Sequence, residues 1–389
     1  MDLAPAMDAV ARARSIAATV AGAADRLERT QLFPPELLDA LHETRLLRLL
    51  LPRSAGGEEV EPWTYFDAVA EIGRHDASVA WCVFVANSSA IIAAFLPPQT
   101  ATEIFADPRV TIAWGPPNAS TAQAVPGGYR VTGRWDFASG CRHARWMGAH
   151  CNVVQPDGTL RPNKAGRATI RTLLFPVEQA TLIHTWDVIG LRGTASDSYT
   201  VTDLFVPEAF STTREDPALR REPGRLYAFT MQGLYAVGVA GVAIGTAQAM
   251  LDEFKTLARE KTPRNLGRLA ENAVVQANVA RMEAKLGSSR AFMTQTLRDA
   301  WDGAYGPDPI DTAARVRVRL ACAQAILMAN EVADQCYKAA GVSAIFDASP
   351  FVRRFRDIHT LLQQIQSREA HFEAVGQILL GIEPATEFL

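Results

Sequence analysis

The chain has 389 residues, 48% of them hydrophobic and 21% charged, with a formal net charge of -3. That length suffices for two or three domains with sizeable cores, and charge spread without long single-sign runs leaves no electrostatic footprint for nucleic acid or an anionic membrane. A small molecule is the expected partner. The five cysteines, Cys82, Cys141, Cys151, Cys322 and Cys336, are odd in number and scattered without a CxxC pair. This speaks against a disulfide framework or a cysteine zinc site and leaves them as reduced core residues.

From about residue 6 to 51 the apolar spacing is helical, with Asp25, Arg26, Glu28 and Arg29 on a wet face and Pro34, Pro35 and Glu36 opening a new helix. The first twenty residues mix arginines with acids and hold no uninterrupted apolar core, so no signal peptide is expected and the cytoplasm is the expected compartment. Residues 53–60 form a glycine loop, and a helix follows over about 61–73. Residues 77–95 are apolar nearly all round. Asn87, Ser88 and Ser89 interrupt this stretch and Pro97 and Pro98 stop it, so a buried helix fits better than a membrane span. The result is a helical first domain, 1–102.

Short β-like runs follow at 110–114, 123–125, 129–138, 144–154, 168–175 and 199–206, several separated by turn signals such as Pro126-Gly127-Gly128. They predict a compact antiparallel β domain over 103–212. Helical patterns then cover about 226–259, 269–301, 309–340 and 351–380, the count and length of a four-helix bundle, within a third domain, 213–389. In the β region, strict alternation puts Tyr129, Val131, Trp135, Phe137 and Ser139 on one strand face. Such a face suits a planar ligand, and it equally suits ordinary sheet core. His143, His150, Cys141 and Cys151 lack the carboxylate and spacing of a metal site, and no metal is expected.

Five segments in this order carry a resemblance: HDASVAW at 75–81, GGYRVTGRWDFASGC at 127–141, GLRGTASDSYTVTDLFVPE at 190–208, AAGVSAIFDASPFVRRFRDIHT at 339–360 and AVGQILLG at 374–381. Together they resemble the acyl-CoA dehydrogenase superfamily, and within it the two-component (group D) monooxygenases that use reduced flavin. The resemblance implies an α+β fold with an N-terminal helical domain, a middle antiparallel β-barrel and a C-terminal four-helix bundle. It also implies a homotetramer, or a homodimer, with flavin between the β domain and the bundle and part of its tail held by a neighbouring subunit. No GxGxxG or GxxxxGK[ST] motif occurs in the chain, so a nucleotide is bound by another route.

By the same resemblance, Trp135, Phe137 and Ser139 face the flavin ring, and Trp114 belongs to the preceding flavin-edge segment. Ser139 has a second reading, as a turn hydroxyl bonded to its own backbone. Arg192, Thr194 and Ser196 lie beside the flavin tail and substrate entrance, or form a serine-rich connection. Arg264 reaches a neighbour's flavin phosphate, or is a solvated loop arginine, and Gly341 and Ser343 belong to a turn that touches cofactor. Arg353, Arg356 and Asp357 are expected in structural ion pairs.

Two positions depart from the family pattern. Many of these monooxygenases carry a histidine eight residues after the arginine of the RD motif; counting from Arg356, this chain has Gln364. A second histidine position falls near Ser89. An amide takes no proton at neutral pH, so Ser89, Ser139 and Gln364 are candidate catalytic residues by hydrogen bonding alone. Glu369 and Glu373 stand outside any matching dehydrogenase motif. The implied activity is an oxygenase that takes reduced FMN or FADH2 from a separate reductase and uses O2 on a small hydrophobic, aromatic or heteroatom-bearing substrate. The alternatives are an acyl-CoA dehydrogenase-type oxidation with FAD, or a flavin-binding protein that has lost its catalytic groups.

Overall fold

A computed structural model describes residues 8–163, 166–213, 216–265, 267–305 and 308–382. The N-terminal helices are α1 (Ala9–Ser15), α2 (Ala17–Thr30), α3 (Pro35–Glu43), α4 (Pro62–Gly73), α5 (Ala77–Ala90) and α6 (Pro98–Phe105). Two of them start where a carboxylate satisfies a free N–H group: Asp8 accepts from Ala11 at 2.7 Å and Asp76 from Val79 at 2.9 Å. Helices α3, α4 and α6 open on proline, whose missing N–H is no loss in a first turn. Every residue of α5 is buried. The stretches Ala77–Phe95 and Met231–Glu260 are long and apolar enough to cross a membrane, but the protein itself covers 100% and 89% of their apolar windows.

The β region comprises β1 (Ile112–Trp114), β2 (Thr121–Val125), β3 (Gly128–Ala138), β4 (Trp146–Val154), β5 (Ile170–Pro176), β6 (Thr181–Ile183), β7 (Asp197–Pro207) and β8 (Ser211–Thr212). They form one sheet in the order β6-β7-β3-β2-β4-β5-β8, with β1 also on β4. Two expectations are corrected. The sheet ends at β6 and β8 without closing, so it is not a barrel. It is mixed rather than antiparallel, because β1 and β2 both run parallel to β4, pairing Ile112 with Trp146 and Thr121 with Asn152. Successive short strands thus occupy successive parts of one edge of β4, a crossover that alternation in the sequence does not reveal.

The bundle consists of α7 (Met231–Glu260), α8 (Ala273–Asp302), α9 (Thr312–Ala340) and, in the fourth position, α10 (Pro350–Leu361) and α11 (Ala370–Leu379). The fourth expected helix is therefore broken. Gln364 is extended and its side chain caps the 3-10 turn Ile365–Ser367, so His359 and His371 do not share one continuous helix. The small residues of α7 have a packing reason: a Cβ on Gly245 would lie 2.1 Å from the Ala70 carbonyl oxygen of α4. Close approach of α4 and α5 to α7 gives the N-terminal helices and the bundle one continuous core, separate from that of the sheet.

Three of the sequence motifs meet at one buried node. The Leu191 N–H donates to Asp357 Oδ1 at 2.6 Å, and a Cβ on Gly190 would lie 2.2 Å from the Arg356 carbonyl oxygen. Arg353 and Arg356 pair with Asp25 at 2.8 Å and Glu28 at 2.7 Å. Burial, and then the nearby charge of Asp76, push the Asp357 carboxyl up to about 7. Gly190→Ala is expected to cost about 1–3 kcal/mol in denaturant unfolding, the range for forcing backbone apart in a packed interior. Unfolded aspartate titrates near about 3.9, so between that value and about 7 the folded chain binds the extra proton. Stability should fall as pH rises through this window, and Asp357→Asn should flatten that slope in denaturant titrations run at successive pH values.

Candidate functional site

Strand β3 begins as alternation predicts, with Tyr129, Val131 and Trp135 in the sheet core. Its pairing with β7 then slips between Trp135 and Ala138, and Phe137 adopts φ +63°. For a bulky residue that is an uncommon, strained conformation of the kind that collects at functional sites. The bulge rotates Phe137 out of the face it was expected to share with Trp135, leaving its ring 62% exposed. Trp135 turns the other way, stacks on Tyr199 at 5.2 Å and donates its indole N–H to the His150 carbonyl at 3.1 Å. The expectation that its side chain faces a ligand is corrected, because it is fully buried. Half-buried Trp114 meets the His150 ring edge-on at 5.0 Å.

Beyond the bulge, Ser139 is held in a buried seam of hydroxyl groups. It receives the Trp81 indole N–H at 3.0 Å and lies 2.7 Å from Ser196 Oγ, which lies 2.7 Å from Thr194 Oγ1. Thr194 donates to the Leu191 carbonyl at 2.8 Å. Because each hydroxyl has one proton, the Thr194 bond fixes the rest: Ser196 donates to Thr194, and Ser139 donates to Ser196. Ser139 Oγ is thereby a pure acceptor toward anything else. The seam joins α5, the β3 bulge and the 190–196 loop, in which Leu191 and Ala195 also take positive φ.

Trp81 and Phe84 continue along one face of α5, ring edge to face at 4.8 Å, and Phe84 meets Tyr235 of α7 at 4.9 Å. Ser88, one turn further, lies 3.5 Å from the Tyr65 hydroxyl. Burial raises the Tyr235 phenol above its ordinary range, partly offset by hydrogen bonding with the Gln364 side chain. Gln364 also accepts from the Gln366 N–H at 2.6 Å. The α5 face, α7 and the break between α10 and α11 thus present aromatic edges with a phenol, a hydroxyl and an amide. Neither Tyr235 nor Gln364 titrates near neutrality. Glu369 and Glu373 are exposed. Two residues beyond Ser139, burial pushes the Cys141 thiol up to about 12.

Other expected residues divide into three groups. Ser89 is buried with no hydrogen-bond partner for its hydroxyl, and helical spacing places Ser88, not Ser89, on the Trp81–Phe84 face. Arg192 donates to the Glu28 and Val188 carbonyls at 3.1 and 2.6 Å. It lines a cleft of about 300 Å³ with Arg29, Arg142, His184 and Trp186. Trp186 meets Phe137 edge-on at 6.2 Å. Asp197, fully buried, anchors this wall through Arg142 at 2.7 Å and His184 at 3.1 Å. Arg264 is exposed, and three residues before it Lys261 donates to the Ala340 carbonyl at 2.8 Å, bringing its turn beside Gly341 and Ser343. Exposed Val342, Ile345 and Phe346 flank that edge.

Sequence reasoning missed Trp81 as a site residue, as well as Ser88 and Tyr235. Trp81 was legible within HDASVAW, whereas Tyr235 sits in a run of small residues with no motif of its own. Ser196→Ala removes the middle of the hydroxyl seam and should destabilise the chain by about 1–3 kcal/mol, the cost of leaving buried partners unsatisfied. Urea unfolding of the variant beside the exposed control Ser288→Ala measures it.

A planar ligand with N–H donors fits this arrangement, with Phe137 as an exposed ring wall and Ser139 as an acceptor. Two family models match the chain: acyl-CoA dehydrogenase, N-terminal domain, over residues 8–99, and acyl-CoA dehydrogenase, C-terminal domain, over residues 237–368. An indole-3-acetate monooxygenase of Pseudomonas putida is 29% identical over 369 residues, covering 93% of this chain and 91% of the relative. The oxygenase component of an FADH2-dependent resorcinol hydroxylase from Rhizobium sp. (strain MTP-10005) is 24% identical, covering 99% and 97%. Among solved structures, XiaF from Streptomyces sp., in complex with FADH2 and glycerol, superposes with a TM-score of 0.88 at 24% identity, over 97% of this chain and 96% of that one.

Proposed function

The chain belongs to the acyl-CoA dehydrogenase superfamily, and from that premise we propose that it is the oxygenase component of a two-component, reduced-flavin-dependent monooxygenase. The observation that carries this reading is the β3 bulge, which turns Phe137 outward and leaves Ser139 an acceptor. Reduced FMN or FADH2, when bound, supplies the two electrons by which one atom of O2 enters the substrate and the other leaves as water.

The chain's own residues position and exclude. Phe137 covers one side of the ring, and Ser139 accepts a ring N–H while Ser196 and Thr194 hold it still. Trp81 and Tyr235, backed by fully buried Phe84, offer edges to a small aromatic substrate and keep water away. Tyr235 and Gln364 hydrogen-bond its polar substituent. Since neither removes a proton at neutral pH, the proposed substrates are electron-rich aromatic rings or heteroatoms that need no deprotonation, as in an indole.

Arg264, Gly341 and Ser343, beside exposed Val342, Ile345 and Phe346, form the edge at which a neighbouring subunit of a homotetramer or homodimer would bring its flavin tail. A separate reductase supplies the flavin, and the proposed compartment is the cytoplasm.

Phe137→Ala should weaken binding of anaerobically reduced FMN by tenfold or more in equilibrium dialysis while leaving the melting temperature unchanged, because the ring contacts little in the free protein. An unchanged affinity would count against the assignment of the bulge as the ring site. Gln364→His should convert a flat rate profile between pH 6 and 8 into one that rises with a midpoint near about 6.5, the ordinary imidazole value. A profile that already rises in the wild type would reveal a base elsewhere.

A further inference from the structure

We propose that the head of α7 and the first turns of α9 form a binding site for one small anion, a halide ion or the carboxylate end of a ligand. A cavity of about 10 Å³, room for one water-sized particle, lies where the two helices converge. Thr230, Gly233, Arg315 and Arg319 form its polar wall. Phe229, Ile310 and Val318 close it with apolar surface.

Arg315 and Arg319 are four residues apart on α9 and so share a face. Arg319 is 3% exposed, and the Nε of each guanidinium is buried without a partner. Arg319 Nη1 donates to Gln366 Oε1, a neutral acceptor, and Arg315 reaches the Thr312 hydroxyl at 3.4 Å. Among the described residues, no carboxylate pairs with either guanidinium. The acid nearest in sequence, Asp311, caps α9 by accepting from Ala314 at 2.7 Å.

The helix opposite adds the same sign. Thr230 Oγ1 accepts from the Gly233 N–H at 2.9 Å, which leaves its hydroxyl proton as a donor at the positive end of a 30-residue helix. The side-chain protons left free on the wall are those of the Thr230 hydroxyl and of the two guanidinium Nε–H groups. A water molecule could accept two of these bonds, but its own protons would then face Phe229, Ile310 and Val318. An anion takes all the donors, and it reverses the repulsion between two cations held away from solvent. Because Arg319 also holds Gln366, occupancy steadies the connection that carries Gln364.

The test uses the full chain and requires neither flavin nor turnover. At constant ionic strength, replacing sodium isethionate, a bulky sulfonate, by sodium bromide should raise the melting temperature with the logarithm of bromide, by about 1–2 °C per tenfold once the site is mostly filled. Crystals grown in bromide should show one anomalous peak between Thr230, Arg315 and Arg319. Arg319→Met should abolish the bromide dependence; if that variant does not fold, Arg315→Met and the wild-type bromide map carry the test. Titration with indole-3-acetate and its neutral amide separates the two sources. Acid binding weakened by bromide assigns the site to a ligand carboxylate, and bromide binding without such competition assigns it to an inorganic anion. Equal melting in bromide and isethionate, with no anomalous peak and no preference for acid over amide, would overturn the proposal.

Discussion

The seam that runs from the Trp81 indole through Ser139, Ser196 and Thr194 to the Leu191 carbonyl is the constraint on which the rest of the site depends. Its direction is fixed by counting protons. It ties a wholly buried helix to the bulged end of a strand and to a loop in left-handed conformations. Leu191 then carries the connection onward, donating its N–H to buried Asp357 of α10. The strained backbone at Phe137, Leu191 and Ala195 persists because partners on three different elements hold it.

How much of this was legible in the sequence follows from the range of the forces involved. The helix opened at Pro34, Pro35 and Glu36 and the long strands were readable, since proline starts and alternation are local. The parallel pairing of β1 and β2 with β4 was not, because strand order is a tertiary fact. The face containing Trp135 and Phe137 was read as continuous because nothing in WDFAS marks a bulge, and only the slipped register with β7 shows that the two rings part company. The break at Gln364 likewise has no proline or glycine to announce it; the side chain of Gln364 caps the following turn itself. The resemblance put Ser139 at the flavin ring and Thr194 and Ser196 beside the flavin tail; that the three hydroxyls bond to one another required coordinates.

The proposed chemistry follows from the groups gathered between α5, α7 and the break between α10 and α11. Trp81, Phe84 and Tyr235 supply apolar edges, and Ser88, Tyr235 and Gln364 supply hydrogen bonds without proton transfer near neutrality. Glu369 and Glu373 lie exposed. A site so built can orient a planar molecule and exclude water, and it leaves activation to the cofactor and to an already electron-rich substrate. The same connection that places Gln364 is gripped by Arg319 through Gln366, so the proposed anion site and Gln364 share one support.

The most direct measurement is isotopic. Protein supplied with reduced FMN, an indole-type substrate and heavy-isotope O2 should release product carrying one labelled oxygen atom, with labelled water as the other product. Quantitative release of hydrogen peroxide with unlabelled substrate, together with reduction of bound FAD by an acyl thioester, would contradict an oxygenase and identify a dehydrogenase instead.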